Sequence, residues 1–154
     1  MQHLAAIAAL YDELDAEFER QRGRALVSGD SVAAARVGEK QTLNDQAYFL
    51  LCWGQLETAI DDKCRDAIRR GRRNQNWAVR RAWALYNPDD RRLSGLSFED
   101  RAALVLNRDE EPWRGAIRHY NMRNQIAHGR LQAYRIDVPA AVVEFYTIQG
   151  ALTA

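Results

Sequence analysis

Apolar residues recur every three or four positions along most of this chain, and runs that alternate at every second position are almost absent. That periodicity predicts an all-α protein, a bundle of about five to six helices. Leu4, Ile7, Leu10 (or Tyr11), Leu14 and Phe18 mark a first helix over residues 2–26, broken at Ser28-Gly29-Asp30-Ser31. A short helical piece over 32–37 is expected to end at Gly38. One long helix is expected over 42–70, then a loop over 71–76, a short helix from Trp77 to about Tyr86, and irregular polar chain over 88–96. Ser97 and Asp100 have the spacing of a helix cap, opening a helix to about Leu106. Pro112 suits the first turn of a helix running to His128, and Gly129 suits its end. Asp137-Val138-Pro139 opens the last helix. The chain reads as a single domain, 1–154, with a polar insertion around 71–110.

The middle of the long helix, Tyr48 to Leu56, is apolar nearly all round. A helix with no polar face must be covered on several sides. A second copy of the chain is the expected cover, with Gly54 permitting close approach. A central helix in a monomeric bundle is the other reading. Leu43, Ala47, Leu50, Gly54, Asp61 and Ile68 are expected to line one face, with Glu57 beside it. Glu57 and Asp61, four residues apart on that face, need a cation. Arg123 is one candidate and Arg65, four residues beyond Asp61, is the local one.

Composition narrows the class. With 154 residues, 47% hydrophobic and 28% charged, the chain is long enough and apolar enough for its own core. Its formal net charge of +1 gives no global attraction to nucleic acid. The charge is uneven, however. Residues 65–92 hold nine arginines against three aspartates, and only Lys40 and Lys63 are lysines. Arg suits bidentate phosphate contact, although coding bias also enriches it. Cys52 and Cys64 lack partners at ligand spacing, so both are expected to be small core residues in a reducing compartment, with no metal site. No apolar run is long enough to span a membrane and no signal segment is apparent, so a cytoplasmic protein is expected.

The chemistry concentrates at 113–129. On a wheel of about 100° per residue with Trp113 at zero, Ala116, Ile117, Tyr120 and Ala127 fall within about 60° and define the expected buried stripe. Asn124 falls inside it, His128 on one shoulder and Arg123 on the other. A buried Asn is often satisfied by a backbone carbonyl, and a His at a helix end is often only a cap. Three phosphate-binding or proton-carrying groups interrupting one stripe together point to a site instead. A pairing of His119 with His128 within one chain is excluded, since they fall on opposite sides of the wheel.

Arg123-Asn124-x-x-Ala127-His128-Gly129 resembles the R-x4-6-H signature of the HEPN superfamily. The resemblance is specific over about seven residues and looser over the long helix, where Glu57 matches an acidic or polar residue that often faces the motif. It implies a helical bundle that dimerises, with Arg and His of both copies meeting in a cleft, and metal-independent endoribonuclease activity. It also implies a setting among toxin–antitoxin, phage-defence or CRISPR-associated proteins, with a nucleotidyltransferase-like antitoxin as a possible partner. Some members bind nucleotides or only dimerise.

On this reading no cofactor is needed. His128 transfers protons, one copy from each subunit, Arg123 binds the phosphate, Asn124 orients His128 or the phosphate, and Glu57 orients Arg123 or tunes His128. Arg72, Arg73, Arg80 and Arg81, interleaved with Trp77 and Trp83, form a candidate RNA grip. The competing expectation is that Trp77, Trp83 and Leu85 are core, because their spacing is also core spacing. The alternative function is a non-catalytic nucleotide-binding or dimerisation module.

Overall fold

A computed structural model describes residues 1–90, 93 and 95–153; Arg91 and Arg92, two of the arginines in the basic stretch, lie outside them. Among the described residues there are six helices and no strand: α1 (Leu4–Val27), α2 (Ser31–Arg72), α3 (Trp77–Trp83), α4 (Phe98–Ala103), α5 (Glu111–Ala127) and α6 (Val138–Ala151). No helix is long and apolar enough to cross a membrane. The chain groups into two compact units, Met1–Gln55 with Tyr120–Val143, and Leu56–His119 with Glu144–Ala154.

The expected break at Gly38 does not occur, and α2 runs unbroken for 42 residues. A glycine inside a helix costs only about 1 kcal/mol. Here the buried stripe continues straight through it, from Ala34 to Gln41 and Asp45, so packing offsets that cost. In the first unit, Leu4 and Tyr11 of α1 are buried, as are Phe49, Cys52 and Trp53 of α2. The Tyr11 ring meets Tyr48 edge-on at 5.6 Å. The inward face of α2 is therefore Asp45, Phe49, Cys52, Leu56, Ile60 and Cys64, and not the line through Leu43 and Ala47. Leu43, Ala47 and Leu51 stay exposed, and the space beside Gly54 is open.

In the second unit, Leu56, Ile60, Cys64 and Ile68 of α2 are buried, with Phe98 and Ala102 of α4, Val105, Leu106, and Phe145 and Ile148 of α6. The capping box expected at Ser97 and Asp100 is formed in both directions. Thr153 donates its N–H to the Val105 carbonyl at 3.0 Å, which ties down the C-terminal end. The polar insertion is thus shorter than expected. Phe98, Ala102, Val105 and Leu106 belong to the core, and among the described residues 72–87 form a surface excursion. Trp83 is held there by Gly71, where any Cβ would lie 2.2 Å from the indole ring. Cys52 and Cys64 are free and buried, and burial pushes both thiols up to about 11. Neither is a nucleophile near neutral pH.

Candidate active site

The motif lies at the end of α5, and local chemistry sets where α5 stops. Gly129 has φ +77°, its N–H donates to the Ile126 carbonyl at 2.9 Å, and the Arg130 N–H donates to the Gln125 carbonyl at 2.9 Å. This paired closure needs a left-handed residue, which glycine supplies at no steric cost. It places His128 in the turn just past the helix, held by its own N–H on the Asn124 carbonyl at 3.0 Å. Space beside Gly129 is open, so Gly129→Ala should cost only the backbone strain, about 1–2 kcal/mol. Urea unfolding checks that figure.

The buried stripe of α5 is rotated from the expected one. Gly115, Ala116, His119 and Ile126 are buried, while Trp113, Ile117, Tyr120 and Asn124 are half-buried, and Ala127 and His128 are exposed. The reason lies on α6. A Cβ at Gly115 would meet Ile148 at 3.5 Å, so small residues set the close face. His119 can join that face because its Nε2 lies 2.8 Å from Glu144 Oε2, with its ring edge-on to Phe145 at 4.9 Å. Arg118 also donates to Glu144, at 2.9 Å. A polar residue with a ready partner outcompetes tryptophan for the inward side.

That pair carries a pH dependence. Burial lowers the His119 pKa below its ordinary 6.5, more than Glu144 raises it. Burial pushes the Glu144 carboxyl up, but hydrogen bonds from His119 and Arg118 more than offset this and hold it below 4.5. Both shifts are depressions, so both contributions are present at neutral pH and lost on acidification. His119 loses its share as pH falls below 6.5 through its folded value, and Glu144 loses its share lower still. The urea midpoint should be level above about pH 7 and fall from there to about pH 5. His119→Gln should flatten that fall; an unchanged slope would assign it to other groups.

Arg123, Asn124 and His128 all belong to the first unit. Arg123 Nη1 donates to Asn124 Oδ1 at 2.9 Å. Guanidinium has no acceptor, so the Asn124 oxygen is committed to Arg123 and its NH₂ is what it offers a ligand. Asn121, Asn124, Gln125, His128 and Arg130 line an open cleft of about 450 Å³. Among the described residues no carboxylate lines it.

The loop after the motif is fixed by residues that sequence reasoning missed. Gln46, buried in α2, accepts from the Gln132 N–H at 3.0 Å and donates to the Gln132 carbonyl at 3.2 Å, as a neighbouring strand would. Arg135 then enters a carboxylate cluster. Its Nε donates to Asp45 Oδ2 at 2.9 Å and its Nη1 to Glu19 at 3.0 Å, and Nη2 reaches Asp15. Tyr11 donates its hydroxyl to Asp45 at 3.0 Å, and Gln41 donates to Asp15 and Glu19. The Asp45 hydrogen bond holds the Arg135 guanidinium above its usual pKa, and burial raises the Tyr11 hydroxyl. No local signal marks them, because Asp45 and Gln46 close a polar stretch just ahead of the apolar run that begins at Ala47.

Glu57 and Asp61 lie in the second unit. Within that unit both meet Arg101 of α4, a residue their spacing does not point to. Arg101 lies 3.5 Å from Glu57, bonds Asp61 directly, and sits over the Phe98 ring at 5.7 Å. Arg65 pairs instead with Asp62, at 3.6 Å. Burial raises the Asp61 carboxyl even beside Arg101.

Comparison with protein-family models, with curated proteins and with solved structures returns no match.

The basic stretch is also reassigned. Trp77 is 62% exposed, Leu85 is 82% exposed, and α3 buries nothing. The expectation that Trp77 and Leu85 are core is wrong, because α3 is too short and too basic to be drawn in; only Trp83 packs. Arg72, Arg73, Arg80 and Arg81 are exposed. The Arg81 guanidinium lies 5.3 Å from the Trp77 ring centre, while Arg80 donates to the Asn74 carbonyl at 2.8 Å.

Proposed function

We propose that this chain is a HEPN-like endoribonuclease, a toxin or phage-defence effector that cuts RNA as a homodimer without using a metal ion. The observation that carries the reading is the cleft at the end of α5, where Asn124 and His128 sit with Asn121, Gln125 and Arg130, with no carboxylate in its lining among the described residues. A phosphodiester is an anion bearing only acceptors at its non-bridging oxygens, and such a wall complements it. In the reaction the 2′-oxygen attacks phosphorus and the bond to the 5′-oxygen breaks. His128 of one copy accepts the 2′-hydroxyl proton, and His128 of the other supplies a proton to the 5′-oxygen. Asn124 donates to the phosphate, held in register by Arg123, whose charge also favours the transition state.

Dimerisation is supported by the exposed apolar stripe Leu43, Ala47 and Leu51 and by the open space at Gly54. Substrate grip is assigned to Arg72, Arg73, Arg80 and Arg81, with Trp77 as a stacking face. The test is cleavage of a labelled RNA in EDTA by wild type and by His128→Ala. Equal cutting by both, or a strict metal requirement, overturns the reading.

A cleft lined by amides, an imidazole and a guanidinium also suits binding a nucleotide phosphate without cutting it, which is the competing reading. Growth separates the two. The ribonuclease should arrest cells when expressed without its antitoxin, and His128→Ala should restore growth. A binding module does neither.

A further inference from the structure

Gln125, Arg130 and Gln132, close to His128 in the chain, have no task in the mechanism above. Gln132 Nε2 donates to the Arg130 carbonyl at 3.3 Å and to Gln125 Oε1 at 3.1 Å. The first bond identifies that Gln132 atom as nitrogen, since a carbonyl can only accept. The second therefore commits the oxygen of Gln125, and leaves its NH₂ to face outward. The backbone of Gln132 is fixed, because buried Gln46 holds both its N–H and its carbonyl. Arg123 closes the oxygen of Asn124 in the same way.

Arg130 is exposed, lines the cleft, and forms no ion pair and no side-chain hydrogen bond among the described residues. This contrasts with Arg101, Arg118 and Arg135, each of which is paired with carboxylates. The helix terminus itself carries partial negative charge, which works against an anion. Closure of the last turn by the Gly129 and Arg130 N–H groups removes two of its open carbonyls, and the Arg130 charge opposes the rest.

We propose that Arg130 and the Gln125 amide form a second phosphate subsite, which holds the phosphodiester neighbouring the one His128 acts on. Gln132 is its positioning residue. This rests on the reading of the cleft as an RNA site, and it makes the preferred ligand an oligonucleotide of at least two phosphates instead of a mononucleotide.

The test uses a fluorescein-labelled 2′-O-methyl RNA 12-mer, which has no 2′-hydroxyl nucleophile, so binding is read separately from cutting. Arg130→Gln should weaken binding about five- to ten-fold and reduce the slope of log affinity against log salt by about 0.7, the loss of one phosphate contact. Arg130→Lys should restore the slope. On cleavable RNA, Arg130→Gln should raise KM more than it lowers kcat. The subsite is overturned if Arg130→Gln binds with unchanged affinity and salt slope, or if the loss appears only with a matching fall in thermal stability. If wild type fails to cut any RNA but the slope change holds, the ribonuclease reading fails and the subsite stands.

Discussion

Replacing His128 with alanine should lower RNA cleavage by about 10²–10⁴-fold, the usual worth of a positioned proton-transfer group, with no loss of fold. The second half of that expectation is what makes the first informative. The His128 side chain is exposed, and its part in closing α5 is played by its backbone N–H, which alanine keeps. A loss of rate therefore cannot be ascribed to unfolding, and urea curves of the two proteins should coincide. Arg123→Ala should also slow cleavage, because Asn124 loses the donor that holds its oxygen. Arg123→Lys should recover little, since a single ammonium does not reproduce the planar fork. A loss below about ten-fold on removing His128 would take proton transfer away from it.

Replacing Arg135 with methionine should destabilise the protein by about 3 kcal/mol in urea unfolding. Asp45 is completely buried and would keep only Tyr11 as a partner in this cluster. Removing one member of a buried pair costs about 3–5 kcal/mol, because the other charge stays buried and uncompensated. The low end applies because Arg135 keeps 38% of its side-chain surface exposed, where solvent screens it. Asp45→Asn combined with Arg135→Met should cost less than the sum of the two. The consequence reaches the cleft, since Arg135 and Gln132 anchor the loop that carries Arg130. A change under about 1 kcal/mol would show the cluster to be a solvated surface group.

The helices were legible because their signals are local. Apolar spacing placed α1, α5 and α6, Ser97 and Asp100 announced their capping box, and Gly129 announced the end of α5. What escaped depended on partners distant in sequence. Gly38 looked like a stop, but Gln41 and Asp45 had cluster partners in α1 that carried the helix on. The wheel put Trp113 inward because it ranked residues by hydropathy, whereas Glu144 on α6 decided that His119 goes in. The same applies to Glu57 and Asp61, which both meet a guanidinium from α4, 40 residues beyond Asp61. Within the site, Asn124 and His128 were readable from the motif. Gln46, Gln132 and Arg130 were not, since amides and an isolated arginine leave no pattern until the loop folds back.

The most direct measurement is the chemistry of the cut ends. A synthetic RNA treated with the protein in EDTA, and its fragments weighed by mass spectrometry, should show 2′,3′-cyclic phosphate on one side of the cut and 5′-hydroxyl on the other. Both ends should be absent with His128→Ala. Fragments ending in 3′-hydroxyl and 5′-phosphate would mean that water, and not the 2′-oxygen, attacked, and would contradict the account.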